Sequence, residues 1–103
     1  MHQLFRKKRL EIIVEGALVE TVRALLDREG ATGYTISSAS SGRGDAGQWR
    51  RDDITPALGR ATILVIANEE VARRLAEATY DLLSDHAAMI LLSDVEVFRD
   101  ADY

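Results

Sequence analysis

Arg60-Ala61-Thr62-Ile63-Leu64-Val65-Ile66-Ala67-Asn68-Glu69-Glu70 runs from an apolar stretch straight into a helix start. Ala61 to Ala67 carries one hydroxyl and otherwise only apolar side chains. In extended backbone both faces are therefore apolar, the mark of a central strand. Asn68 is a good N-cap, since its side-chain oxygen can accept a backbone N–H of the first turn. Glu69 and Glu70 fall where the helix dipole favours carboxylates. Val71, Leu75, Ala78, Thr79, Leu82 and Leu83 recur at helical spacing and predict the buried stripe of this helix. Ser84-Asp85-His86 makes a tight connection to a last strand, about Ala88 to Phe98, again apolar on both faces over Met89 to Leu92. Asp100 to Tyr103 reads as a frayed tail.

Toward the N-terminus the same pattern occurs once more. In Arg9 to Glu15, Leu10, Ile12 and Val14 alternate with Arg9, Glu11 and Glu15, and Ile13 adds apolar surface to the second face. Gly16 turns the chain. Over Ala17 to Glu29 the period changes: Leu18, Val22, Leu25 and Leu26 form a helical stripe, with Glu20, Asp27 and Arg28 on the other side. Gly30 sits where a left-handed C-terminal cap is expected. From Ala31 a short strand runs through Tyr34, Thr35 and Ile36 to about Ser38. Residues 39–58 show neither period. They interleave Ser40, Ser41, Gly42, Gly44, Gly47 and Pro56 with Arg43, Arg50, Arg51, Asp45, Asp52 and Asp53, and a stretch of this kind inside a compact domain is usually functional or disordered.

The element order is βαβ–loop–βαβ, an α+β ferredoxin-like βαββαβ sandwich: four antiparallel strands with two helices on one face. The long loop, about 39–58, lies between the second and third strands. The domain is expected to span 8–99, with 1–7 and 100–103 as flexible termini. Two helices cover only one side of the sheet, and Ile13, Leu64, Ile66, Ile90 and Leu92 are expected on the other. An exposed apolar face of that size marks an interface, so a homo-oligomer with packed sheet faces is predicted, its ligand sites in the clefts between subunits.

Composition narrows the function classes. A chain of 103 residues is one domain, and 47% hydrophobic with 29% charged residues suits a globular protein. Its 13 Lys+Arg against 17 Asp+Glu give a net charge of −4, a poor balance for phosphate neutralisation, so nucleic acid is not expected as a partner. RNA binding through this fold would also need aromatics on the central strands, which here carry aliphatic residues. Cysteine is absent, which excludes disulfides, thiolate metal sites and cysteine nucleophiles. His2 and His86 are the two histidines, too few for an imidazole-rich metal site. The basic start lacks the apolar run of a signal peptide, and no stretch reaches a membrane span; a cytoplasmic protein without membrane insertion is expected.

Catalytic constellations are missing. His86 beside Asp85 and Asp81 reads as a polar turn, because neighbours in a turn do not orient one another as a triad does. Asp52 with Asp53 reads as solvated loop, and Glu69 with Glu70 as helix start. The chain is not expected to be an enzyme. Ser40 to Gly44 is more informative: glycines let backbone N–H groups converge on an anion, and Arg43 adds a bidentate fork. Trp49 beside Arg50 and Arg51 offers a cationic cluster with a stacking surface. On these residues alone, a solvated loop and a ligand- or partner-binding loop both stand.

Gly30-Ala31-Thr32-Gly33-Tyr34-Thr35-Ile36, followed by the Ser/Gly/Arg loop, resembles the PII signal-transduction superfamily over about Lys8 to Arg99. Together with Ser84-Asp85-His86-Ala87-Ala88 and Ile90 to Val97, it is most similar to the PII-like branch associated with bicarbonate uptake and carboxysomes. The resemblance implies a homotrimer that binds adenine nucleotides between subunits beneath a mobile T-loop, here about 39–58. It implies nucleotide contacts from Gly33, Tyr34, Thr35 and Ile36, from Arg43 toward the phosphates, and from Ala87, Ala88 and Arg99. It implies an anion, bicarbonate or partner site among Ser41, Gly42, Gly44, Gln48, Trp49, Arg50 and Arg51. The T-loop has no tyrosine to be uridylylated, and the turn at Ser84 to Ala88 lacks the Gly- and Lys-bearing phosphate-binding B-loop of the classical PII members, which implies AMP, ADP or a cyclic nucleotide rather than ATP with 2-oxoglutarate. The ligand would be regulatory, with no covalent cofactor, and a bicarbonate transporter or carboxysome component would read the loop. The rival reading is a trimeric adaptor that docks a partner through the T-loop without a small ligand.

Overall fold

A computed structural model describes residues 2–38, 41–44, 47–50 and 59–100, with 41–44 and 47–50 described by their backbones. Strand β1 (Phe5–Glu15) leads through a short 3-10 turn (Gly16–Leu18) into helix α1 (Val19–Arg28) and strand β2 (Thr35–Ser38). Two short strands follow, β3 (Ser41–Gly44) and β4 (Gly47–Arg50), then β5 (Arg60–Ala67), helix α2 (Glu69–Leu82) and β6 (Met89–Val97). The four long-range strands form one antiparallel sheet in the order β2-β5-β1-β6, and β3 pairs with β4 as a separate two-stranded sheet. β5 is central, as its two-sided apolar sequence predicts.

Register fixes which side chains meet the helices. Leu10, Ile12 and Val14 of β1 face Val65, Ile63 and Ala61 of β5, and this layer is covered by Val22 and Leu26 of α1 and by Ala72, Leu75 and Ala76 of α2. Thr79 is buried with them, its hydroxyl donating to the Leu75 carbonyl at 2.7 Å, so no polar group is orphaned there. Arg74 Nη2 donates to the Glu29 carbonyl at 2.9 Å and ties α2 to the end of α1, beside Gly30. That glycine has φ +88°, the left-handed conformation that only a residue without Cβ adopts cheaply.

The α2 cap is as expected: the Val71 N–H donates to Asn68 Oδ1 at 2.9 Å. Asn68→Ala should cost about 1 kcal/mol, seen as a lower urea midpoint with an unchanged m-value.

Several expectations are corrected. Phe5, Arg6 and Lys7, assigned to a flexible terminus, belong to β1, where Phe5 faces Val97. Ala31 to Tyr34 precede β2 rather than forming part of it. Within 39–58, expected to lack regular structure, β3 and β4 pair with Gly44 facing Gly47. Ile90 and Leu92 do not face the open side. Leu10 faces Leu92 and Ile12 faces Ile90, so both pack on the helix-covered core. Because facing residues in an antiparallel pair share a side, the open face instead carries Ile13, Leu64, Ile66, Met89 and Leu91. Met89 and Leu91 are 56% and 42% exposed.

Candidate functional site

One end of the sheet gathers both ends of the 39–58 segment and the α2–β6 turn. Ser38 faces Ala61 across β2 and β5, and Gly59 accepts a backbone hydrogen bond from Gly16. From the first residue of β5, Arg60 Nη1 reaches the Ala87 carbonyl at 3.5 Å. Ala88 follows and packs against the core. Arg60 was not among the expected site residues. Its signal in the sequence is a cation placed at the point where loop composition gives way to a buried strand.

Gly33 to Ile36 lie on the opposite edge. Thr35 faces Leu64 and Ile36 faces Ile63, so Thr35 stands exposed on the open side while Ile36 turns into the core. Tyr34 also packs toward the core, over α1. Its hydroxyl donates to Asp27 Oδ1 at 2.9 Å, and the Arg23 guanidinium carbon lies 5.9 Å from the ring centroid. The hydrogen bond to Asp27 raises the Tyr34 pKa above the usual tyrosine value, helped by desolvation and the Asp27 charge and opposed by Arg23. Among Gly33 to Ile36, then, the exposed side-chain hydroxyl is that of Thr35, and Tyr34 and Ile36 present backbone.

The remaining expected residues fall elsewhere. Arg99 follows β6 at the far end, beyond Val97. Nearby, Lys7 pairs with Asp100 at 3.1 Å and Lys8 with Asp94 at 2.6 Å. The Lys8 hydrogen bond and charge hold the Asp94 carboxyl below its ordinary pKa. Ser41, Gly42, Arg43 and Gly44 form β3, and Gln48, Trp49 and Arg50 lie in β4, with Arg43 facing Gln48 and Gly42 facing Trp49. Arg51 lies outside the described residues. A groove of about 470 Å³ between α2 and β6, lined by Ala76, Glu77, Tyr80, Asp81, Ile90 and Leu92, contains none of the expected site residues.

Within one protomer Gly33 to Ile36 and Arg99 lie at opposite edges of the sheet. β2 and β6 are separated by two strands, about 14 Å at the usual strand spacing, and Arg99 is farther still along β6. The family model described as "Nitrogen regulatory protein P-II" matches residues 7–102. The chain belongs to the P-II family. Among solved structures it is similar to CPII, a nitrogen regulatory PII-like protein from Thiomonas intermedia K12, in a complex with ADP, AMP and bicarbonate. Identity is 32%, 96% of this chain and 94% of that chain are covered, and the TM-score is 0.85. The apo form of the same Thiomonas protein matches at 30% identity over 96% and 99% of the two chains, TM-score 0.74. A PII-like signalling protein from Thermus thermophilus matches at 26% identity over 94% of each chain, TM-score 0.75. Among curated protein sequences, none matches the chain. This P-II chain is thus a PII-like regulatory protein, and its antiparallel sheet with two helices is the fold of its relatives.

Proposed function

We propose that the protein is a non-enzymatic sensor that binds AMP or ADP in the clefts of a homotrimer, together with bicarbonate. Its T-loop, about 39–58, would report inorganic-carbon and energy status to a bicarbonate transporter or carboxysome component in the cytoplasm. The observation that carries this reading is the likeness to CPII, whose structures hold ADP, AMP and bicarbonate, at 32% identity over 96% of the chain. The split geometry supports it. Gly33 to Ile36 on one edge and Ala87, Ala88 and Arg99 at or beyond the other would come together on one ligand if the β2 edge of one copy adjoined the β6 edge of the next. The apolar open face gives the copies a reason to associate.

Arg43 and the glycines of β3 are assigned to the ligand's anionic groups, and Gln48, Trp49, Arg50 and Arg51 to bicarbonate or the partner protein. Ordering each loop residue costs about 1–2 kcal/mol of backbone entropy, so ligands that favour one loop arrangement shift its population by their differential affinity. If nucleotide and bicarbonate favour the same arrangement, each tightens the other by an equal factor.

Titration calorimetry with AMP, ADP, ATP and cyclic AMP, with and without bicarbonate, tests this. AMP or ADP should bind most tightly and bind tighter still with bicarbonate. Equal affinities in the two buffers would remove bicarbonate, and no binding by any nucleotide would leave the adaptor reading.

A further inference from the structure

We infer that Asp27 and Arg23 of α1 are positioning residues for the ligand-facing backbone at Gly33 to Thr35, acting through Tyr34. The inference rests on the nucleotide-binding reading above and deepens it. Residues 31–34 belong to no helix or strand. Their start is held by the Ala31 N–H, which donates to the Leu26 carbonyl at 2.9 Å, and their end by the β2–β5 ladder from Thr35. Between these two anchors the described tie is the Tyr34 side chain.

That tie is gripped from one helical face. Glu20, Arg23 and Asp27 stand at i, i+3 and i+7, which an α-helix brings to one side. Asp27 accepts the Tyr34 hydroxyl at 2.9 Å, and Arg23 lies over the ring at 5.9 Å, within range of a cation–π contact. Glu20 Oε2 holds Arg23 Nε at 3.3 Å. This ion pair falls short of hydrogen-bond geometry and leaves the buried Nε without an acceptor, so the guanidinium is oriented by the Glu20 charge and the ring rather than by a directed bond. The clasp spends the tyrosine hydroxyl on the fold. What it gives in return is a segment already fixed when ligand arrives, and pre-organisation of this kind appears directly in affinity.

The effect expected of one such hydrogen bond is about five-fold in Kd. Tyr34→Phe keeps the ring, its packing and the Arg23 contact, and removes only the bond to Asp27. By calorimetry on the full chain, Tyr34→Phe and Asp27→Ala should each weaken AMP and ADP about three- to ten-fold, and the double variant no more than either alone. Asp27→Asn, whose amide oxygen still accepts, should stay within about two-fold of wild type. Without ligand, amide exchange at Gly33 to Thr35 should quicken several-fold in Tyr34→Phe while the β1 and β5 amides keep wild-type protection. Wild-type affinity in Tyr34→Phe, or a double variant that multiplies the two single effects, overturns the positioning role. Failure of the wild type to bind either nucleotide instead overturns the nucleotide reading.

Discussion

In the proposed trimer, Leu91→Lys should break the assembly into monomers in sedimentation velocity and abolish the proposed AMP and ADP binding with it. Leu91 stands on the open face of β6, 42% exposed, opposite Glu11 of β1, which in turn faces Leu64 of β5. In a single copy the lysine is harmless, since its stem lies on the sheet and its ammonium reaches Glu11 or water. Between packed sheet faces the outcome reverses. Each of the three leucines loses the interface burial of its exposed fraction, about 2–4 kcal/mol in all, and three charges enter an interface where each costs energy unless paired. The lost burial alone moves the association equilibrium by at least about thirty-fold, and the buried charges move it further. Arg9 and Glu11 on the same face already pair with each other at 2.8 Å. A trimeric Leu91→Lys with wild-type nucleotide affinity would show that another surface holds the copies together.

Leu75→Ala should remove about 2–5 kcal/mol of stability, whereas Leu82→Ala should cost less than about 1 kcal/mol. Both leucines lie on α2, and both fit the apolar stripe read from the sequence. Leu75 is fully buried and Leu82 is 38% exposed. At about 4–8 °C per kcal/mol for a domain of this size, the first substitution lowers Tm by about 8–40 °C and the second by less than about 8 °C. Thermal unfolding followed by circular dichroism separates them. Equal shifts would place both leucines in one environment and contradict the helix orientation described above.

That contrast shows where the sequence was legible. The stripe through Leu75, Thr79 and Leu83 was readable because all three side chains are buried. Val71 also packs against the core, whereas Leu82 is 38% exposed and the small Ala72 and Ala76, which the apolar stripe leaves out, are buried. β5 was readable because it is apolar on both faces and has strand neighbours on both sides. The same property in β6 hid its parity: four consecutive apolar residues, Met89 to Leu92, fit either side of the sheet, and only the pairing of Leu10 with Leu92 decides. A one-residue change of register exchanges every side chain between faces, which is how Ile90 and Leu92 came to be expected in place of Met89 and Leu91. β3 and β4 have no such signal, because Ser41 to Gly44 contains no apolar side chain and Gly47 to Arg50 carries one, Trp49, so neither shows apolar alternation, and glycine is depleted in strands.

The candidate site was less legible than the fold for a related reason. Gly33, Thr35, Ala87 and Ala88 drew attention as motif residues. Arg60, Arg23 and Asp27 did not, because their importance lies in what they reach: the Ala87 carbonyl, the Tyr34 ring and the Tyr34 hydroxyl. Contacts between a helix and the segment leading into an edge strand, or between a loop end and a distant turn, have no local sequence pattern.

Native mass spectrometry of the chain over a range of concentrations, with ADP and bicarbonate present, tests the central claim most directly. If the ligand clefts are built between copies, ADP should ride only on trimers, up to three per assembly, and vanish from the spectrum as dilution releases single chains. A monomer carrying ADP one to one would contradict it.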